Sequence, residues 1–413
     1  IFMTIANFEH KLAQYAHLII KTGVNIQPGQ TVVLYISVTQ QKLAHLIIKE
    51  AYAAGANEVI VKWNDTFTSR QFLAHASEER LENIPAYVNA EADYIVSKHA
   101  ARISVISEDP DAFSGIDTKR IAKNQAAMGK ALLNVRKATQ NNDLTWTVVA
   151  ASDVAWAKKV FPDLSDTEAV DRLWEKIFKT CRIDQKDPIK AWQEHDQTLR
   201  NKAKWLNDEQ FVALHYTSSK TDLTIGLPKN HIWEGAGSFS SDGIEFMANM
   251  PTEEVFTAAD KDHIDGYVTS TKPLSYAGNI LEDIKFTFKA GHVTKIEARS
   301  GQDILEHLIA TDAGASSLGE VALVPDPSPI SRSGIVFFNT LFDENASNHL
   351  ALGSAYPFSI QDGTTMDDEA LAAAGLNLSQ IHVDFMMGSA DMNIDGIRAD
   401  GTKAPIFRNG DWA

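Results

Sequence analysis

His382 and Asp384 stand two residues apart in the run Ile381-His-Val-Asp-Phe-Met-Met-Gly388. In an extended strand, residues so spaced project from one face, while Val383 and Phe385 pack behind. An imidazole and a carboxylate side by side form either an isolated hydrogen-bonded pair or half of a metal site. Three further segments bear on that choice. Pro251-Thr-Glu-Glu-Val-Phe-Thr257 offers adjacent carboxylates, Glu253 and Glu254, of which only one can face a given side of strand-like text. Glu320 in Leu318-Gly-Glu-Val-Ala-Leu-Val324 is read as standing directly before an apolar strand, where a carboxylate is costly to bury without a cationic partner. Asp343-Glu-Asn-Ala-Ser-Asn-His349 adds two more carboxylates and a histidine, and leads on to Tyr356. Together these residues hold the ingredients of a two-cation centre. Two divalent ions about 3.5–4 Å apart need a bridging carboxylate, flanking His and Asp/Glu ligands and a shared water. A bound metal lowers the pKa of water from 15.7 toward roughly 7, which removes the need for a protein nucleophile. Oxygen and imidazole donors without thiolates suit zinc, cobalt, manganese or magnesium.

The elements that must position these residues divide into two textures. Up to about residue 150, strand-like and helix-like segments alternate. Thr31–Val38 is a β-branched, nearly continuous apolar run, and helical text at Gln41–Ala54 is closed by Gly55. Further strands are predicted at Glu58–Trp63, Asp93–Val96, Ala101–Ser107 and Thr145–Val149, with helices at Ser69–Glu91 and Thr118–Ala138. Repeated β-α-β units imply a mostly parallel sheet covered by helices. Helical text from Asp153 to about Asn207 connects this part to the next. Beyond it come short alternating strands and hairpins, such as Ile284–Lys289 and His292–Ile296 around Ala290-Gly291. The expectation is an α/β N-terminal domain with a mostly parallel sheet over residues 1–207, and an α+β C-terminal domain rich in antiparallel strands over 208–413.

Charge singles out the same C-terminal half. The net charge is −16, and from Ser241 to Ala413 there are 26 Asp and Glu against 10 Lys and Arg, whereas the preceding residues carry 28 of each. Such a field repels nucleic acid and anionic lipid and favours cations, whether metal ions or ammonium groups. No apolar run of about 18 residues is present to span a membrane. The chain shows no secretory signal, and its single cysteine, Cys181, fits a reducing compartment as a buried small hydrophobe, so a cytoplasmic location is expected. No phosphate-binding loop occurs, and Gly235-Ala-Gly237 lacks the strand and helix of a dinucleotide fingerprint. His263, His292 and His307 have no partner pattern, and Asp391 and Asp395 read as a turn, because the remaining acids of a calcium loop are missing.

Asn249–Thr257, Leu318–Val324, Asp343–Gly353 with Ala355-Tyr356, and His382–Ser389 resemble, in order, the signature blocks of the thermophilic metallo-aminopeptidase family. The resemblance covers essentially the whole chain. It implies Glu254, Glu320, His349, His382 and Asp384 as ligands of two divalent ions, Glu320 being the bridge. Tyr356 matches the family's catalytic tyrosine, whose phenol can donate to a tetrahedral oxyanion, and Glu344 is the candidate general base. Glu253 remains interchangeable with Glu254 on strand alternation alone. The family also implies a homodimer acting on peptides with a free N-terminus. The rival reading is a mononuclear non-haem iron oxygenase using His349, His382 and Asp384, which leaves Glu254 and Glu320 without a task.

Overall fold

The computed structural model describes residues 5–277 and 279–413. They form two compact units: one comprises the chain up to Glu194 with Gly237–Pro251 and a short piece around Ala277, and the other holds the remainder. The dividing point falls inside the long helix Pro188–Glu209. No helix among the described residues is long and apolar enough to cross a membrane.

The first unit is built on a four-stranded parallel sheet, in the order Glu58–Asn64, Thr31–Ser37, Ala101–Ile106, Trp146–Ala150. Helices supply every crossover, as a parallel sheet requires. Two sequence expectations are corrected here. Asp93–Val96 is not a strand; it lies in the helix Ala86–Ser97. Its four residues are too few to outweigh an alanine-rich surround, and Ala92 and Ile95, three apart, bury one helical stripe. The single helix expected over Ser69–Glu91 is three pieces, Thr66–His75, Glu78–Glu82 and the start of Ala86–Ser97. Ser77 caps the second piece by accepting from the Arg80 N–H, and Pro85 enforces the second break.

The second unit contains two antiparallel sheets. The larger runs His292–Glu297, Lys285–Lys289, Ile264–Thr269, Asp222–Gly226, Ala213–Thr217, Asn393–Ile397, Lys403–Arg408 and Asp411–Trp412. Ala290 and Gly291, both at positive φ, make the tight turn of its predicted hairpin. The smaller sheet carries the chemistry and runs His382–Met386, His349–Gly353, Leu318–Leu323, Val255–Ala258 and Glu234–Gly235. Alternation divides its faces. Val321, Leu323, Leu350, Leu352, Val383 and Phe385 join one apolar core with Phe286, Phe288 and Ile394 of the larger sheet. Glu320, His349, His382 and Asp384 occupy the intervening positions. Each buried side chain of this size contributes about 1.5–3 kcal/mol. A slip of one residue would turn the apolar set out and the polar set in, so core burial is what fixes the site's register.

Close backbone approach also constrains this sheet. Gly353, at φ 101°, pairs with His382, and a Cβ there would lie 2.2 Å from the carbonyl oxygen of Ile381. Only glycine fits both the dihedral and the space. Gly353→Ala is expected to destabilise the protein by about 3 kcal/mol or more, a loss that denaturant unfolding would register as a lower midpoint at unchanged slope.

At the far edge of the same sheet, Glu234 has its carboxyl pushed up to about 7 by burial, against the opposing charge of Arg200. A carboxyl raised above its unfolded value contributes stability that is complete below about pH 4.5 and lost as pH climbs through about 7. Glu234→Gln, permanently neutral, is expected to melt with the parent at pH 5 and to be the more stable at pH 8, by about 3 kcal/mol at most. Equal melting temperatures at both pH values would show that Glu234 titrates normally.

Candidate metal centre

Seven residues singled out from the sequence come together on the polar face of the smaller sheet. Pairing places Ala351 opposite both Glu320 and Asp384, and Ala322 opposite His349. Small side chains therefore sit between the polar ones and leave room among them. The ladder shifts between Leu318 and Glu320, and a bulge of this kind re-aims the side chain that follows. Glu320 lies within the strand rather than ahead of it.

The distances describe one cluster. His349 Nε2 lies 3.1 Å from Glu254 Oε2 and 3.7 Å from Glu320 Oε1. His382 Nε2 lies 3.5 Å from Glu320 Oε2 and 3.6 Å from Asp384 Oδ1. Glu320 thus turns one oxygen to each histidine. Three sets of potential ligands result, each with its atoms within 4.8 Å of one another: Glu254, Glu320 and His349; Glu320, His382 and Asp384; Glu344, His349 and Asp384. Glu253 falls in none of them; its Oε2 lies 3.5 Å from His195 Nε2. Tyr356 borders the cluster, its ring 5.1 Å from that of His382 and stacked on Phe358 at 5.2 Å.

Both imidazoles are oriented from behind. His349 Nδ1 is 2.9 Å from the carbonyl of Glu344, and His382 Nδ1 is 2.7 Å from the carbonyl of Ser354. A carbonyl only accepts, so each Nδ1 carries the proton and each Nε2 faces the carboxylates. These carbonyls belong to the positions that sequence motifs do not reveal, because any residue type could supply them.

Electrostatics explains what such a cluster lacks. Burial raises the Glu320 carboxyl, and burial followed by the charges of Asp384 and Glu254 raises that of Glu344 well above the carboxylate range. Burial opposes a charge on His349, yet its hydrogen bonds with Glu254 and Glu320 outweigh it and lift the imidazole well above its usual value. His382 is raised too, the charges of Asp384 and Glu320 overcoming burial. Four carboxylates with two imidazoles cannot all hold their charge in a dry site without added positive charge. Asp384 Oδ1 is buried and has no hydrogen-bond partner among the described residues. An orphaned carboxylate oxygen and a donor set of carboxylate oxygens and imidazole nitrogens fit divalent cations, which would take the place of the Nε2 protons and bind both rings in their neutral form.

The remaining histidines lie outside this cluster. His263 pairs with Asp260 at 2.9 Å, His292 with Ser316 Oγ at 3.0 Å, and His307 with the carbonyl of Asp303 at 2.6 Å. Asp391 accepts from the Ser389 hydroxyl within its own turn and from the backbone N–H of Ser219, in the turn after the strand Ala213–Thr217. Cys181 is buried, and its carbonyl accepts from the Trp192 indole N–H at 2.9 Å.

The family model for the thermophilic metalloproteases of family M29 matches residues 8–412. The chain belongs to this family. Among M29 relatives, aminopeptidase PepS of Streptococcus thermophilus is 56% identical over 99% of this chain and 100% of its own length. Aminopeptidase AmpS of Bacillus subtilis (strain 168) is 52% identical over 98% of this chain and 99% of its own. The structure of wild-type AmpT from Thermus thermophilus superposes with a TM-score of 0.91 at 37% identity, covering 98% of this chain and 100% of that one. The expected pairing of a parallel-sheet α/β part with an antiparallel-rich α+β part is the architecture this M29 chain has. Membership also sets the iron oxygenase aside, since the family is one of metal-dependent peptidases.

Proposed function

We propose that this metal-dependent aminopeptidase releases N-terminal residues from peptides through a pair of divalent ions held by Glu254, Glu320, His349, His382 and Asp384. The observation that carries the reading is Glu320, which directs Oε1 to His349 and Oε2 to His382 and so belongs to two ligand sets at once. A carboxylate so placed is a bridge. Two ions there would polarise the scissile carbonyl and make a shared water nucleophilic near neutral pH.

The protein's own groups handle the protons and the developing charge. Glu344 is buried beside Asp384 and His349, and its raised affinity for a proton suits a group that takes one from water and hands it to the leaving amine nitrogen. Tyr356 is held well above the usual phenol range by burial and by the charges of Glu320 and Asp384. It therefore stays a phenol and can donate to the oxyanion formed when water adds to the carbonyl carbon. The acidic C-terminal half favours a substrate carrying a protonated α-amine. A cytoplasmic homodimer is the assembly and location that accompany this reading.

The test is hydrolysis of aminoacyl-4-nitroanilides before and after chelation. Chelator is expected to abolish release of nitroaniline, and added zinc, cobalt, manganese or magnesium to restore it. N-blocked substrates should resist cleavage. A fully metal-loaded protein that cleaves no unblocked substrate would overturn the proposal.

A further inference from the structure

Next to Glu344 in the single turn Glu344–Ala346, and against the segment that carries Glu254, stands Asn345, which is fully buried. Its neighbours decide how its amide is turned. Oδ1 accepts from the backbone N–H of Glu253 at 2.7 Å, and Nδ2 donates to the carbonyl of Leu341 at 3.1 Å. Turning the amide over would set donor against donor and acceptor against acceptor. In the orientation so fixed, Nδ2 also faces Glu344 Oε1 at 3.4 Å. A carboxylate rotates freely about its last bond unless one oxygen is held, and burial leaves no bulk water to compete for that role.

We propose that Asn345 is a positioning residue for peptide hydrolysis: its amide holds one oxygen of Glu344 while anchoring the segment that presents Glu254, and so sets the geometry between the proton-carrying carboxylate and the metal ligands. The inference rests on Glu344 being the proton carrier. The 3.4 Å contact with Glu344 is long for a hydrogen bond, so its loss should misplace Glu344 rather than disable it. Misplacement by a fraction of an ångström to about 1 Å costs on the order of 10- to 100-fold in rate.

Asn345→Asp is the informative change. It keeps the shape and the acceptor for the Glu253 N–H, but it removes the donor and sets a second carboxylate against Glu344. The expected result is a kcat lower by about 10- to 100-fold, a KM within about threefold and undiminished metal content, with a lower unfolding midpoint because a buried carboxylate now stands where Nδ2 donated to Leu341. A residue that merely clamps the Glu253 backbone would keep its kcat in this variant. Placed in a Glu344→Gln background, Asn345→Asp should cost less than about threefold more, because its effect passes through Glu344. Normal kcat in Asn345→Asp beside a crippled Glu344→Gln would overturn the inference, as would losses that simply multiply in the double variant. Normal turnover in Glu344→Gln alone would instead overturn the assignment of Glu344, and this inference with it. If Asn345→Asp fails to fold, Asn345→Ser, smaller and uncharged, is read against the same criteria.

Discussion

Glu320→Ala is expected to empty the centre of both ions and to lower kcat by at least about 10³-fold, beyond the roughly 10- to 100-fold that follows loss of an outer partner. The reason lies in how its two oxygens are shared. One lies 3.7 Å from His349 Nε2 and the other 3.5 Å from His382 Nε2, so Glu320 is what the set with Glu254 and His349 shares with the set of His382 and Asp384. Thermal melts separate this effect from general damage. In the metal-free state the variant should melt no lower than the parent, because deleting one of several crowded buried carboxylates relieves repulsion and desolvation. Adding metal should raise the melting temperature of the parent by mass action and leave that of the variant where it was. Elemental analysis completes the test: a variant that keeps one tightly held ion excludes a bridging Glu320.

What could be read of this site before its structure follows from where periodicity applies. His382 and Asp384 lie inside a regular strand, with Val383 and Phe385 buried on its other side, so alternation alone places them together. The same argument has no purchase on Glu253 and Glu254. Both precede the strand Val255–Ala258 in irregular backbone, and what separates them is a tertiary contact, the Glu253 N–H bonded to Asn345 ninety-two residues away. His349 begins a strand whose five residues are all buried, so burial does not mark out its face, and its place in the cluster shows in its approach to Glu254 at 3.1 Å and Glu320 at 3.7 Å. In the first unit, Asp93–Val96 misleads because Tyr94, Ile95 and Val96 fit a strand as well as a helix, and length has to arbitrate. The resemblance to a family supplies site residues that lone motifs leave open, since four ordered blocks constrain one another as no single block does.

Tyr356→Phe is expected to lower kcat by about 10²- to 10³-fold, the range found when one oxyanion donor is removed. KM should change by only a few fold. The ring itself is packed independently of the hydroxyl: it stacks on Phe358 at 5.2 Å and 20°, meets Phe256 edge-on at 6.0 Å, and lies 5.1 Å from the His382 ring. Phenylalanine preserves each of those contacts, so the fold and the metal content should persist. The hydroxyl's protonation state gives the experiment its direction. Burial, then the charges of Glu320, Asp384, Glu344 and Glu254, hold the phenol well above its ordinary value, and divalent ions would offset part of that carboxylate charge. The group therefore remains a donor throughout the working pH range, and the variant's pH–rate profile should fall uniformly instead of changing shape. If Tyr356 were a proton carrier, one limb of the profile would disappear with the hydroxyl. If it only lined the pocket, kcat would survive, and the donation to the oxyanion would have to come from elsewhere in the cluster.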